Sequence, residues 1–217
     1  MEREYLENAL VNREFVYRYA WRLFAAEPDA DMLALCASAE AQDQVELLLG
    51  ADSDAASAQR HMAEIAAETD DASALADEFT RLFLGPAKPL APLWESVYRE
   101  SDELLFQQTT LDVREAYKGA GFEARAYPKE ADDHLAIELD FMAALVNRTL
   151  TALQADDVEA AHANLAYQRM FLADHLTKWT GDLRERAARE IPTNYSNFYL
   201  YAVALVDELC HTEVSIV

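Results

Sequence analysis

The chain has 217 residues, 52% of them apolar, and carries 40 acidic against 18 basic side chains for a net charge of −22. The apolar share supplies a real core and excludes a disordered chain. A field of that sign repels nucleic acid and anionic membrane surfaces and attracts cationic partners, although an acidic surface also simply keeps a helical protein dispersed.

Five glycines and abundant alanine favour helices, and no alternating strand pattern bounded by turn residues persists along the chain. The expected fold is all-α, one compact helical domain over residues 1–217. Cys36 and Cys210 lie far apart and neither belongs to a CxxC pair, which fits a reducing compartment. The acidic start Met1-Glu2-Arg3-Glu4 lacks the order of a signal peptide. The longest apolar run, Phe198 to Val206, is too short to span a bilayer. The expectation is a soluble, cytoplasmic protein.

Glu4 to Ala26 reads as a helix, with Leu6, Leu10, Tyr17, Ala20, Leu23 and Phe24 at helical spacing. Pro28-Asp29 ends it and starts a short turn through Met32, Leu33 and Cys36, and a patch from Gln44 to Leu49 stops at Gly50. Asp52 and Ser53 suit the cap of an Ala-rich helix through Met62 and Ile65, and Leu75, Phe79, Leu82 and Phe83 then form one stripe. Gly85-Pro86 stops that helix. Residues 85–110 read as the longest irregular connection, too rich in Leu90, Leu93, Trp94, Tyr98, Leu104, Leu105 and Phe106 to be disordered. Thr109 or Thr110 suits the cap of a helix ending at Gly119-Ala120-Gly121, and a second loop follows over 119–132. Asp132 or Asp133 is the expected N-cap of a long helix with Leu135, Leu139, Met142, Val146, Leu150 and Leu153 inward. Asp156-Asp157 caps the next helix, expected to bury Val158, Ala161, Leu165, Leu172, Leu176 and Trp179. A charged segment, Asp182 to Glu190, leads through Pro192 to Asn194, the expected cap of a last helix through Phe198, Ala202, Leu205, Val206 and Leu209.

His134 and Glu138, at i and i+4, share one helix face, with Asp133 at the helix start where a carboxylate meets unpaired N–H groups. The bland reading is that Asp133 caps and His134 bonds across a helix contact. Metal ligation lacks support: His162 and His175 fall on different faces, and no HxxxH pair appears. Neither GxSxG nor a glycine-rich phosphate loop occurs, and Cys36 sits on an apolar face as a core thiol. Any single one of Trp94, Phe79, Leu82, Phe83 and Tyr98 could be plain core. As a set they flank proline-rich loops interleaved with Glu95, Glu100 and Asp102. An apolar groove with an acidic rim suits a peptide carrying arginines beside an apolar segment.

These residues carry a resemblance. Phe79-Thr80-Arg81-Leu82-Phe83-Leu84-Gly85-Pro86, then Pro92-Leu93-Trp94-Glu95-Ser96-Val97-Tyr98, the segment Glu130-Ala131-Asp132-Asp133-His134, and later Phe171-Leu172-His175-Leu176-Trp179 and Asn197-Phe198-Tyr199 together resemble the TorD/DmsD family. Its members are cytoplasmic chaperones, the redox enzyme maturation proteins of twin-arginine-exported molybdoenzymes. The resemblance covers Phe79 to Leu209, and the first seventy residues agree in helical character alone. It implies a TorD/DmsD-like helical bundle that binds the twin-arginine leader peptide of a molybdopterin oxidoreductase and delays export until the cofactor is inserted. The carried-over peptide-binding residues are Phe79, Leu82, Phe83, Pro86, Trp94, Glu130, Asp133 and His134, on the 85–110 connection and the 119–132 loop. The family's E-P-x-D-H motif is met with Ala131 in place of proline. Asp133 is expected to pair with a client arginine, and its replacement by alanine to weaken leader binding with little change in melting temperature. No catalysis, resident cofactor or metal is expected, and weak guanine nucleotide binding enters through the family alone. The other partner expectations are no nucleic acid, no stable membrane insertion, and a monomer or homodimer. Two rivals stand beside this reading: an assembly factor docking on a cytoplasmic reductase of nitrate-reductase type, and a small helical metal- or nucleotide-dependent enzyme using His134, Glu138 and His175.

Overall fold

A computed structural model describes residues 2–85, 88–101, 105–124 and 130–216. The all-α expectation holds: these residues form α1 (Glu2–Ala25), α2 (Ala30–Cys36), α3 (Ala39–Leu49), α4 (Asp54–Glu68), α5 (Ser73–Phe79), α6 (Glu95–Arg99), α7 (Gln108–Gly119), α8 (Leu135–Gln154), α9 (Val158–Asp174), α10 (Thr180–Glu190) and α11 (Phe198–Ile216). Among the described residues no helix is long and apolar enough to cross a membrane.

Local chemistry sets several of these boundaries. The Asp29, Ser38, Ser53 and Asp157 side chains each accept a backbone N–H from the first turn of the helix they precede, a contact worth about 1 kcal/mol apiece. Gly50 ends α3 at φ 96°, a backbone state that side chains avoid. α5 runs on into a π-helical turn, Thr80–Leu84, closed by Gly85 at φ 80°. That wider turn puts both Leu82 and Phe83 inside while Leu84 stays half exposed.

α8 lies centrally, packed chiefly on α1 and α9, while α11 packs on α4 and α10. Its stripe Leu135, Leu139, Met142, Val146 and Leu150 is buried as the spacing requires. Tyr17, Tyr19, Phe24, Phe198 and Tyr199 fill the same continuous core. Cys36 is buried there too, its thiol pushed up to about 11 by burial, which makes it an inert core group.

Four expectations are corrected, and the charged stretch before Pro192, to which the sequence assigned no element, is a helix. The helix expected to bury Val158 through Trp179 stops at Asp174: Val158 is exposed, and a 3₁₀ turn, Leu176–Lys178, breaks the axis. No glycine or proline marks that break; the Thr177 hydroxyl donates to Leu172 O and His175 turns aside to Glu95. The charged stretch Asp182–Glu190 lies in a regular helix, α10, on the narrow stripe Thr180, Leu183 and Ala187. Residues 85–110 are interrupted by α6 and by the start of α7. Neither Thr109 nor Thr110 caps α7; the Glu100 carboxylate accepts the Thr109 N–H and hydroxyl instead. Before α11 the Phe198 N–H goes to Ser196 Oγ at 3.2 Å, not to Asn194.

One buried polar network joins four helices. Arg13 on α1 donates to Glu213 on α11 (2.7 Å) and to Gln168 on α9 (2.8 Å), and Gln168 donates to Thr149 on α8 (2.7 Å). Both ends of the ion pair are buried. Removing one partner of a buried pair strands the other charge and costs about 3–5 kcal/mol. Arg13→Ala is therefore expected to lower the unfolding free energy in urea by roughly that amount, and the double substitution Arg13→Met/Glu213→Leu to recover most of it.

Candidate functional site

Two segments far apart in sequence are fastened by an isolated antiparallel bridge between Trp94 and His134. Its bonds run from Leu135 N–H to Leu93 O (2.8 Å) and from Glu95 N–H to Asp133 O (3.0 Å). The loop before it is tied back to the π turn by Ala91 N–H to Leu82 O (2.9 Å). Everything polar in this region is placed by that bridge.

Asp133 and His134 cap different helices. The N-cap of α8 is His134, whose Nδ1 accepts the Ala136 N–H at 3.1 Å. This corrects the expectation that Asp132 or Asp133 would cap it. Asp133, fully buried, instead accepts the Ser96 N–H at 2.9 Å and so caps α6 across the bridge. Asp132 pairs with Arg114. Burial holds the His134 imidazole below its ordinary 6.5, against Glu130 and Asp133, which pull it up. A neutral ring matches the geometry, because an Nδ1 that accepts a hydrogen bond carries no proton.

Trp94 stands over this junction. Its indole N–H donates to Glu130 Oε1 (2.8 Å), and its ring meets the His134 ring edge-on at 5.2 Å. Glu130 Oε1 also accepts the Ala131 N–H at 3.0 Å, a bond that the proline usual in the TorD/DmsD motif could not make. Trp94, Val97 and Ala131 form a small apolar cluster with Tyr98 against it.

Beneath Trp94 lies a cluster of carboxylates. Glu95, read from the sequence as part of an acidic rim, has no exposure at all. One of its oxygens accepts from Arg99 (2.6 Å) and the other lies 3.0 Å from His175 Nδ1. Glu138, also fully buried, accepts from the Trp179 indole N–H at 3.4 Å. Desolvation first, then the charges of Glu95 and Asp133, push its carboxyl well above the ordinary 4.5.

The sequence-predicted residues thus fall into two groups. Trp94, Glu130, Asp133 and His134 meet at the bridge. Phe79, Leu82 and Phe83 are buried in the main core, where Phe79 and Phe83 pack against Tyr199 with centroids 5.6 and 5.3 Å away and Phe83 also meets Phe24. Pro86 and Asp102 lie outside the described residues. Sequence reasoning gave no place to Ser96, and had Glu95 on the surface. The i,i+4 pair Glu95–Arg99 was visible, whereas the Glu95–His175 contact spans 80 positions and leaves no local signal.

A family model described as the nitrate reductase delta subunit matches residues 49–185. Among curated proteins, the TorD chaperone of Vibrio cholerae is 33% identical over 133 residues, 60% of this chain and 55% of that protein. The TorD chaperone of Aliivibrio fischeri is 32% identical over 51% of this chain and 50% of its own. The chain therefore spans about half the length of the curated relatives it matches. A crystal structure described as a redox enzyme maturation protein from Archaeoglobus fulgidus aligns over 73% of this chain and 93% of its own, at 23% identity and a TM-score of 0.42.

Two measurements probe the cluster. Asp133→Ala removes a buried cap and is expected to lower stability by about 1–2 kcal/mol, so unlike the expectation from sequence it moves the melting temperature. Asp133→Asn keeps an acceptor for the Ser96 N–H and should cost less. Glu138 binds its proton more tightly folded than unfolded, so its contribution to stability is full below about 4.5 and is lost as pH rises through the higher folded value. Glu138→Gln, which mimics the protonated acid facing Glu95, Asp133 and Trp179, is expected to remove that decline. Urea midpoints at pH 5 and pH 8 would show a smaller difference for the variant than for the parent.

Proposed function

The chain belongs to the nitrate reductase delta subunit family, and from that premise we propose that it is a non-catalytic chaperone for the twin-arginine leader of a molybdopterin oxidoreductase. The observation that carries this reading is the junction of Trp94, Glu130, Asp133 and His134 at one backbone bridge. It places an aromatic face against concentrated negative charge. Guanidinium groups take carboxylates in a bidentate fork and stack on aromatic rings. The net charge of −22 draws such a segment in. The TorD chaperones among the curated relatives support the same class.

In this reading Trp94 receives the apolar stretch beside the arginines, Asp133 meets an arginine, and His134 and Glu130 fix the Trp94 ring. Phe79, Leu82 and Phe83 act from the core by holding the π turn and the loop that Ala91 ties to it. The protein works in the cytoplasm as a monomer or homodimer, without a resident cofactor, nucleic acid or stable membrane insertion. The guanine nucleotide contact implied by the family stays outside this mechanism. A second reading, docking on a cytoplasmic reductase subunit, draws on the family model's own description as a delta subunit.

Calorimetric titration with a synthetic twin-arginine leader, beside a control whose two arginines are lysines, separates these. The expected outcome is saturable binding that the lysine control weakens. Trp94→Ala should cost about 2 kcal/mol of binding, as truncation of an interface aromatic commonly does. Failure of several such leaders to bind would favour the reductase-docking reading, with the folded client as the next ligand.

A further inference from the structure

Tyr98, which packs against the Trp94, Val97 and Ala131 cluster, also borders an open groove between α6 and α10. The groove has a volume of about 320 Å³, and Tyr98, Glu100, Asp182, Glu185, Arg186 and Arg189 line it. A guanidinium is already seated there. The Arg186 Cζ stands 5.7 Å from the centre of the Tyr98 ring, over its face, and the Arg186 Nε–H donates to Leu90 O at 2.9 Å. The ring is backed by Trp179, stacked at 5.5 Å, and its hydroxyl donates to Pro92 O. Asp182, Glu185, Arg186 and Arg189 stand at i, i+3, i+4 and i+7, so α10 turns one face to the groove. Arg189 is tied to Glu190. Asp182 and Glu185 are exposed, and among the described residues neither accepts a hydrogen bond or joins an ion pair. Asp182 lies four positions before Arg186, the order and spacing in which a carboxylate and a guanidinium pair along a helix. Arg186 leaves that pairing unmade and turns to Tyr98 and the loop.

We propose that this groove is a seat for one client arginine, occupied in the free protein by Arg186, which acts as an internal competitor. The proposal rests on the leader-binding reading and adds a regulated arginine contact beside the Trp94 junction. An incoming guanidinium takes the Tyr98 face and Leu90 O, and Arg186 swings one turn back to Asp182. The exchange is nearly balanced, because one stacked guanidinium replaces another and Asp182 receives the partner it lacked. Glu100 and Glu185 surround the seat with negative charge. A planar group that stacks and donates sideways can replace Arg186, whereas an ammonium is a compact, strongly hydrated point charge. The competitor thereby filters for arginine over lysine, and it lowers the apparent affinity by the fraction of time that it holds the seat.

Removing the competitor gives the test. Arg186→Gln is expected to bind the arginine leader about three- to tenfold more tightly than the parent, the weight of one exposed cation–π contact and one hydrogen bond. Structural damage would weaken binding, so the sign of the change discriminates. Asp182→Asn should weaken leader binding about twofold in the parent, where Arg186 loses its landing place, and should change nothing in Arg186→Gln protein. A readout without the leader follows the Arg186 Nε–H signal of ¹⁵N-labelled protein while N-acetyl-arginine amide or N-acetyl-lysine amide is added. The signal is expected to move with the arginine compound and not with the lysine compound. Unchanged or weaker leader binding in Arg186→Gln overturns the seat, as does an Nε–H signal indifferent to the arginine amide. If no leader binds while the arginine amide moves that signal, the chaperone reading falls and the seat stands. If leaders bind and Arg186→Gln does not tighten them, the seat falls and the chaperone reading stands. Should Arg186→Gln not fold, the amide titration of the parent protein decides alone.

Discussion

Two backbone hydrogen bonds across the Trp94–His134 bridge are the constraint on which the polar centre depends. They bring the start of α6 against the start of α8, so that adjacent residues, Asp133 and His134, cap two different helices. With that register set, Glu95 and Glu138 have to face each other. A slip of one residue would send their side chains outward. The loop that precedes the bridge is anchored to the π turn, and the π turn is anchored by Phe79 and Phe83 in the core. Core packing thereby reaches the polar centre through the backbone, without any side-chain contact between the two aromatic groups having to exist.

Two of the buried polar networks among the described residues differ in charge balance. Around Arg13 a charge meets a counter-charge and the amide of Gln168, and four helices are tied together. There the charges are matched one to one, although Glu213 Oε1 is without a hydrogen-bond partner. Around Asp133, Glu95 and Glu138 three buried carboxyls crowd together, and Glu138 answers by holding its proton more tightly than a free carboxyl does.

The span matched by the family model runs from residue 49 to 185 and holds both bridge strands and the carboxylate cluster. α1 and α11 lie outside it, yet α1 makes the most extensive packing on α8 and α11 the main packing on α4. The matched span therefore carries the polar centre, and the flanking helices clasp it. Their buried faces can change in sequence as long as volume and pattern are kept, which for α1 fits a resemblance that begins only at Phe79.

The sequence by itself determined the helical class, the stripes of α5 and α8, and caps such as Ser53 and Asp157, because these depend on spacing and on side chains a few positions away. It also singled out Trp94, Glu130, Asp133 and His134 as unusual residue types at chain breaks. It could not tell that Phe79, Leu82 and Phe83 lie in a core apart from Trp94, since one apolar stripe serves a core and a groove alike. It placed the cap of α8 on the wrong residue, because Asp133 is drawn to α6 by a strand pairing with no local signature. The burial of Glu95, the break at His175 and the crowding of Glu138 against Glu95 and Asp133 were decided by tertiary structure alone. Each arises where segments roughly 40 to 80 positions apart meet, and a contact made across that distance is fixed by packing rather than by neighbouring residues.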